Sequence, residues 1–524
     1  MRPAGKTWTV CLLILLTACR QEAAEPFRFV EATLDDVQSA ILAGRIRCEE
    51  VVRGYLRRIE AYDQPAGLNA VIFTNPAALA EARRLDDKLA DGGVPGSLFC
   101  APVLLKDNFD TADLPTSGGS IALKSSIPPD DAFMVRRLRE HDAIIIAKTN
   151  MAEWAFSPRQ TVSSSYGTTA NAYARDRVPA GSSGGTASAV AASFGVIGMG
   201  SDTGNSIRGP SSHLALFGIR STLGLTSRDG VIPLAFDRDV AGPMTRTVTD
   251  GARVLTAIAG FDPADPYTEA IRDRPAENYT AFLDTGALRD ARLGVLRALV
   301  NTEDADPEIT AIFEQALVDL ETAGAVIHDP FSIENLQAHL DASNFCPRFR
   351  YDMARYLDSL GPGAPIRDVM AVRERGAFSP YIADRLSFFA GYPADVHPSS
   401  WEPPCPDYQA HAGRQQYLAD TLAAMDRAEV DVVIYPSWTN PPASLADPVG
   451  GYRGDNSQLI APATGLPAAT VPMGFTRDGL PAGLQILGRP YSEGLIIGIA
   501  FAYEQATGHR RPPSGFPELP ADQP

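Results

Sequence analysis

Apolar positions first recur at helical spacing. From Thr33 to Asp63 they fall every third or fourth residue, which predicts two helices, and Asn75–Gly92 predicts a third with Gly92 just past its end. The texture then changes. "APVLLKDNFDT" (Ala101–Thr111) is a short continuous apolar run that breaks into a polar turn at Lys106, the pattern of a buried strand. "AFMVRRLREHDAIIIAKTNMAEWA" (Ala132–Ala155) predicts helix, strand and polar turn in succession. "TASAVAASFGVIGMGSDT" (Thr186–Thr203) repeats that alternation, and "VDVVIYPSWTN" (Val430–Asn440) takes it up again much later. Helices alternating with buried strands predict an α/β fold: one large domain with a mixed, mostly parallel central β-sheet covered by helices on both faces. Chemistry in such folds collects at the carboxyl ends of strands, where Lys106, Ser206 and the Pro436–Ser437 turn all fall.

Between Asp262 and Ala428 the alternation gives way to "GPGAPIRDV", "GYPADVHPSSWEPPCPDY" and aromatic-rich helical stretches. This segment, 262–428, is expected to be an insertion or a cap on the sheet, with some of its residues shaping a substrate cleft, within a domain running from 31 to 515. The tail "RRPPSGFPELPADQP" is expected to be loosely ordered. At the other end, Arg2 and Lys6 precede the apolar run "TWTVCLLILLTA", too short to span a bilayer comfortably, and Leu16-Thr17-Ala18-Cys19 resembles a bacterial lipobox. That pattern predicts a lipoprotein signal peptide over 1–18, lipidation at Cys19 and a tether over 19–30, placing the protein on the periplasmic side of a membrane. An ordinary secretory signal that happens to contain Cys19 is the alternative.

Composition narrows the partners. The chain has 524 residues, 45% hydrophobic and 21% charged, with a net charge of −17. No basic face is implied, which argues against nucleic acid. Beyond Cys11 and Cys19 the cysteines are Cys48, Cys100, Cys346 and Cys405. In an oxidising compartment they allow two disulfides, and of the three pairings the sequence-neighbour one, Cys48–Cys100 with Cys346–Cys405, is favoured. No C-x-x-C motif or His-rich cluster predicts a metal site.

The chemistry concentrates in "PAGSSGGTASAVAASFGVIGMGSDTGNSIRGPSSH" (Pro179–His213), two Gly/Ser clusters around an apolar segment. It is not a P-loop, since no Lys follows "GSSGGT", and it leads too directly into apolar residues for a linker. "GNSIRG" is not the G-x-S-x-G nucleophile elbow either. It does place small residues around Ser206, where closely spaced backbone N–H groups can face a developing oxyanion. Two bases compete for Ser206. His213 is the one nearby histidine of seven, and a packing role competes with a catalytic one. Lys106, one of five lysines against 41 arginines, follows "PVLL", and burial of its stem favours the neutral, basic form. An ion pair of Lys106 with Asp107 or Asp110 is the competing reading.

These stretches, with "PTSGGSIAL", "HDAIIIAKTNMAEWAFS", "DVAGPMTRTVTDGARVL" and "GLPAGLQILGRP" in the same order, resemble the amidase signature family from about Leu34 to Arg511. The resemblance implies a serine amidase without cofactor, hydrolysing a carboxamide to an acid and an amine or ammonia. It places the family's Ser–cis-Ser–Lys triad on Ser206 as nucleophile, Ser182 as bridging serine and Lys106 as base, with a cis bond at Gly181–Ser182. It assigns the oxyanion hole to backbone N–H groups of Thr203, Gly204, Asn205 and Ser206, and supporting positions to Ser183, Asp202 and Arg208. Three residues depart from the family pattern. Ala180 replaces a glycine, Arg220 stands where a lysine is usual, and Asn205 replaces the glycine before the nucleophile, where it is expected to narrow or polarise the acyl pocket. "GLTSRDGVIPLAFDRDVAGPM" is similar to exported bacterial peptide amidases; aryl or fatty acylamidases, or a binding module that lost turnover, are the alternatives. The acidic surface and the membrane address argue against a component of a tRNA-dependent amidotransferase.

Overall fold

The computed structural model describes residues 26–342 and 345–520. The expected signal peptide, Cys19 and the tether as far as residue 25 lie outside them. Thirteen strands occur among the described residues: β1 (Val71–Thr74), β2 (Pro102–Lys106), β3 (Ile144–Thr149), β4 (Val162–Ser163), β5 (Gly167–Thr168), β6 (Ile197–Asp202), β7 (Phe217–Arg220), β8 (Val240–Thr245), β9 (Arg292–Leu296), β10 (Val326–Phe331), β11 (Val432–Pro436), β12 (Ala468–Phe475) and β13 (Pro481–Leu487). β4 and β5 form a small hairpin, and the rest build one eleven-stranded sheet in the order β1-β3-β2-β6-β8-β7-β12-β13-β11-β9-β10. The sheet is mixed, as expected. β2 pairs in parallel with β3 and β6, and β9 with β10 and β11. The pairings from β6 through to β11 are antiparallel.

β2, β3 and β6 bury every residue, which is why their sequences read as continuous apolar runs. The helix Gly184–Ala191 is buried along its whole length and carries only small side chains, so it lies tightly on β6. A Cβ on Gly198 of β6 would fall 2.6 Å from Val190 and 2.7 Å from Thr186 of that helix. The glycine and alanine pattern of "GSSGGTASAVAASFGVIGMG" thus sets the distance between helix and strand, and with it the separation of the serines at their ends.

The 262–428 segment is a cap on the sheet only in its second half. Its first half supplies β9 and β10 with the helix Pro307–Thr322 between them, a unit that extends the main sheet. Its second half is a separate helical cover with its own core, including Phe349, Met353, Leu386 and Phe389, packed on Trp154 and Phe156. Both expected disulfides form, Cys48–Cys100 and Cys346–Cys405. The tail is docked rather than loose as far as it is described. Buried Arg58 donates to the carbonyls of Phe516 (2.9 Å) and Pro517 (2.8 Å), and Glu518 accepts from the Val30 N–H at 2.7 Å. Among the described residues no helix is long and apolar enough to cross a membrane.

Candidate active site

β2 and β6 are parallel neighbours, with Leu105 opposite Met199, so their carboxyl ends bring Lys106 beside Ser201 and Asp202. The Lys106 side chain is fully buried. Its Nζ lies 2.7 Å from Ser182 Oγ and 2.8 Å from Ser201 Oγ, and donates to the Ser201 carbonyl at 3.3 Å. Neither aspartate proposed from sequence pairs with it. Asp107 accepts from Ser117 and from the Gly119 N–H, and Asp110 accepts from Tyr356 Oη at 2.8 Å. Burial therefore dominates and pulls the Lys106 pKa down to about 7, against the weaker opposing pull of Asp202 and Asp239. A lysine in this state is half neutral at pH 7 and can take a proton from a hydroxyl it already touches.

Ser182 follows a cis Gly181–Ser182 peptide bond. Its carbonyl accepts from the Ala152 N–H at 3.0 Å, and the preceding Gly181 N–H donates to the Pro158 carbonyl at 2.9 Å. Ala180 adopts φ 62°, the left-handed region, so its departure from glycine is a strained one. Ser183 donates to the Ser201 carbonyl at 3.2 Å.

Ser206 sits in the turn between β6 and the helix Arg208–His213, 5% exposed, on the floor of a cavity of about 360 Å³. Thr203, Gly204 and Asn205 line the same floor. Among the described residues, the N–H groups of Gly204, Asn205 and Ser206 have no acceptor, which suits them to an incoming oxyanion. The walls are Phe156, Phe345, Phe388 and Phe389, with Arg238 and Arg385 near them.

Of the supporting residues, Asp202 and Arg208 form one buried ion cluster with Arg220. Arg208 donates to Asp202 (3.1 and 3.2 Å), to the Gly204 carbonyl (2.6 Å) and to Gln485 (3.1 Å). Arg220 donates to the Asp202 carbonyl, to its carboxylate (3.1 Å) and to the Arg238 carbonyl (2.6 Å). Burial alone would raise the Asp202 carboxyl, but the two guanidiniums outweigh it and hold it below the usual carboxylate range. The Thr203 hydroxyl is held by Asp239 at 2.5 Å.

The structure does not bring His213 to Ser206. Its ring is buried against Trp438, with ring centroids 4.3 Å apart, and burial depresses its pKa to about 3. Sequence reasoning missed Ser201 and Asn108, whose Nδ2 donates to Ser201 Oγ at 2.9 Å, and Asp239. The position of Asn108 beside Lys106 in "KDN", and of Ser201 beside Asp202, was the available signal. Among the described residues no group of three or more His, Cys, Asp or Glu side chains could hold a metal ion.

A mixed α/β sheet whose strand ends set a buried lysine against a cis-peptide serine, with a cavity serine in the turn that follows β6, defines a class of protein built around a lysine–hydroxyl centre. A family model described as Amidase matches residues 50–497. Among curated relatives, the chain is 34% identical over 485 residues to a glutamyl-tRNA(Gln) amidotransferase subunit of Microcystis aeruginosa, covering 89% of this chain and 95% of that protein. Among solved structures it is similar to the native peptide amidase of Stenotrophomonas maltophilia, with 35% identity, TM-score 0.82, and coverage of 93% and 99%. An amidase family protein from Bacillus anthracis matches at 28% identity and TM-score 0.81, with coverage of 93% of each chain. The chain belongs to the amidase family, whose members hydrolyse amides.

Proposed function

We propose that the protein is a serine amidase acting on the C-terminal amide of peptides, through an acyl-enzyme on Ser206. The observation that carries the reading is Lys106 Nζ, fully buried, without a carboxylate partner among the described residues and 2.7 Å from Ser182 Oγ. Neutral Lys106 accepts the Ser182 hydroxyl proton while Ser182 accepts that of Ser206, and Ser206 Oγ attacks the amide carbonyl. The oxyanion meets the N–H groups of the 203–206 turn. Ser182 then passes a proton to the departing nitrogen, the C–N bond breaks, and an ester on Ser206 remains. Water, deprotonated along the same route, releases the carboxylic acid.

Two features favour a peptide over a small amide. The Ser206 cavity is aromatic, and Phe345 in its wall also lines a second cavity of about 580 Å³ bounded by Tyr392, Trp401 and the Cys346–Cys405 bridge. An acyl chain extended past Phe345 would meet the second cavity. The similarity to the Stenotrophomonas peptide amidase, at 35% identity, supports the same choice. The glutamyl-tRNA(Gln) amidotransferase subunit of Thermotoga maritima is more distant in structure, with 25% identity and TM-score 0.73, and a net charge of −17 suits a tRNA partner poorly. The lipobox-like start and the two disulfides support export and a lipid anchor at Cys19. The test is an amide panel of peptide amides, anilides and fatty amides, with a fluorophosphonate probe and Ser206→Ala as control. Peptide amides should be turned over and Ser206 labelled. Folded protein that neither labels nor hydrolyses would make it a binding module, and preference for anilides or fatty amides would overturn the substrate class.

A further inference from the structure

Asn205 precedes Ser206 and lines the same cavity, and its side chain is held by two partners. Its Nδ2 donates to Asp455 Oδ2 at 2.9 Å and to the Pro158 carbonyl at 3.4 Å. Pro158 is the residue whose carbonyl also receives the Gly181 N–H, at the start of the cis peptide that carries Ser182. One carbonyl thus touches both serine loops. Asp455 is fixed in turn by Tyr452 Oη at 2.9 Å, Tyr452 accepts from Gln458 Nε2 at 3.0 Å, and Arg159 lies over the Tyr452 ring at 5.1 Å. The surroundings are shaped for this side chain. A Cβ on Gly209 would fall 2.7 Å from Asn205 Nδ2, and one on Gly204 would fall 2.4 Å from Gln458 Oε1.

We propose that Asn205 is a positioning residue that holds the Ser206 turn in register with the Ser182 loop, by bridging Pro158 and Asp455. This rests on the assignment of Ser206 and Ser182 above. With glycine at this position the turn would keep its backbone N–H groups but lose the bridge, and the two hydroxyls would no longer be held relative to each other. Proton transfer falls steeply with such misplacement. The bridge needs an acceptor at 455, and burial raises that carboxyl to about 7, with Tyr452, Gln458 and Arg208 opposing and Asp202 reinforcing the rise. Ionised Asp455 accepts from both Asn205 and Tyr452. The protonated form, present as pH falls below 7, is the weaker acceptor, so the bridge loosens on the acid side.

The experiment compares Asn205→Ala, Asp455→Ala, their double variant, Asp455→Asn and Tyr452→Phe with the unmodified protein. It reads kcat and KM on peptide amides and the rate of Ser206 labelling by a fluorophosphonate. Asn205→Ala should lower kcat and the labelling rate about tenfold to a hundredfold with KM nearly unchanged, on the scale of a misplaced reacting group. The double variant should lose no more than the worse single one, because both remove the same bridge. Asp455→Asn, which keeps an acceptor oxygen, should lose less than Asp455→Ala and should lack the acid-side fall contributed by Asp455. Tyr452→Phe should shift that fall. Labelling of Asn205→Ala at the rate of the unmodified protein, additive losses in the double variant, or an effect confined to KM would each overturn the inference. An unmodified protein that does not label would overturn it together with the nucleophile assignment.

Discussion

Replacing Lys106 by methionine should remove a pH-dependent penalty from the folded state. Burial holds Lys106 at about 7 in the fold, whereas an exposed lysine in the unfolded chain titrates near 10.4. Between these values the unfolded chain binds a proton that the folded chain does not, so stability rises with pH by about 1.4 kcal/mol per unit. Below pH 7 the penalty is fully present, and it fades as pH climbs through the unfolded value. It amounts to about 4 kcal/mol at pH 7 and about 2 kcal/mol at pH 9. Methionine keeps the length of the stem and has no proton to bind. It leaves the Ser182 and Ser201 hydroxyls short of a partner, at about 1–3 kcal/mol each, but that loss does not vary between pH 7 and 9.

The measurable quantity is therefore the difference in unfolding free energy between Lys106→Met and the unmodified protein. It should shift by about 2 kcal/mol in favour of the unmodified protein from pH 7 to pH 9, whatever its starting value. Equilibrium urea unfolding at pH 7, 8 and 9, followed by tryptophan fluorescence, reads it directly. In parallel, kcat/KM of the unmodified protein on a peptide amide should rise through an inflection near pH 7. Lys106→Met should lose about 10²- to 10⁴-fold of it. A stability difference that stays constant across the three pH values would show that Lys106 is not the neutral base, however low the variant's activity.

His213→Phe should leave kcat within about threefold and stability within about 1.5 kcal/mol, since the ring is a packing partner of Trp438 and the swap conserves its shape; a hundredfold loss of kcat would return His213 to the role of base. Cys346 and Cys405 are 59 residues apart, so replacing both by serine should cost about 4 kcal/mol of stability, read from the urea midpoint. Because Cys346 follows Phe345, which lines the Ser206 cavity, the same variant should raise KM for peptide amides more than it lowers kcat. A shift under about 1 kcal/mol would mean the loop is held by other contacts.

What the sequence made legible follows from where each interaction lies. β2, β3 and β6 are buried on both faces, so their apolar runs stand out against any neighbour. β10 runs along the sheet edge as "VIHDPF", with only Phe331 buried, and carries no periodicity by which to tell it from a loop. The pattern therefore suggests an insertion where the sheet in fact continues. The site divides in the same way. Lys106, Ser182 and Ser206 sit in dense local motifs that can be read directly, whereas Asp239 and Asp455 meet the 203–206 turn from 36 and 250 residues away, with nothing local to mark them.

The three departures from the family pattern are informative because local reading could flag them without explaining them. Ala180 turns out strained, and Asn205 lines the cavity beside Ser206 while its side chain is held by Asp455 and Pro158. Arg220 is explained by geometry. It reaches the Asp202 carbonyl, the Asp202 carboxylate and the Arg238 carbonyl at once. The planar fork of a guanidinium spans those three acceptors, whereas an ammonium would act as a point charge among them. The strand end that leads into the Ser206 turn is thus tied to the cavity wall through Arg238, so in the proposed mechanism an arginine at 220 couples the turn that attacks to the surface that selects what is attacked.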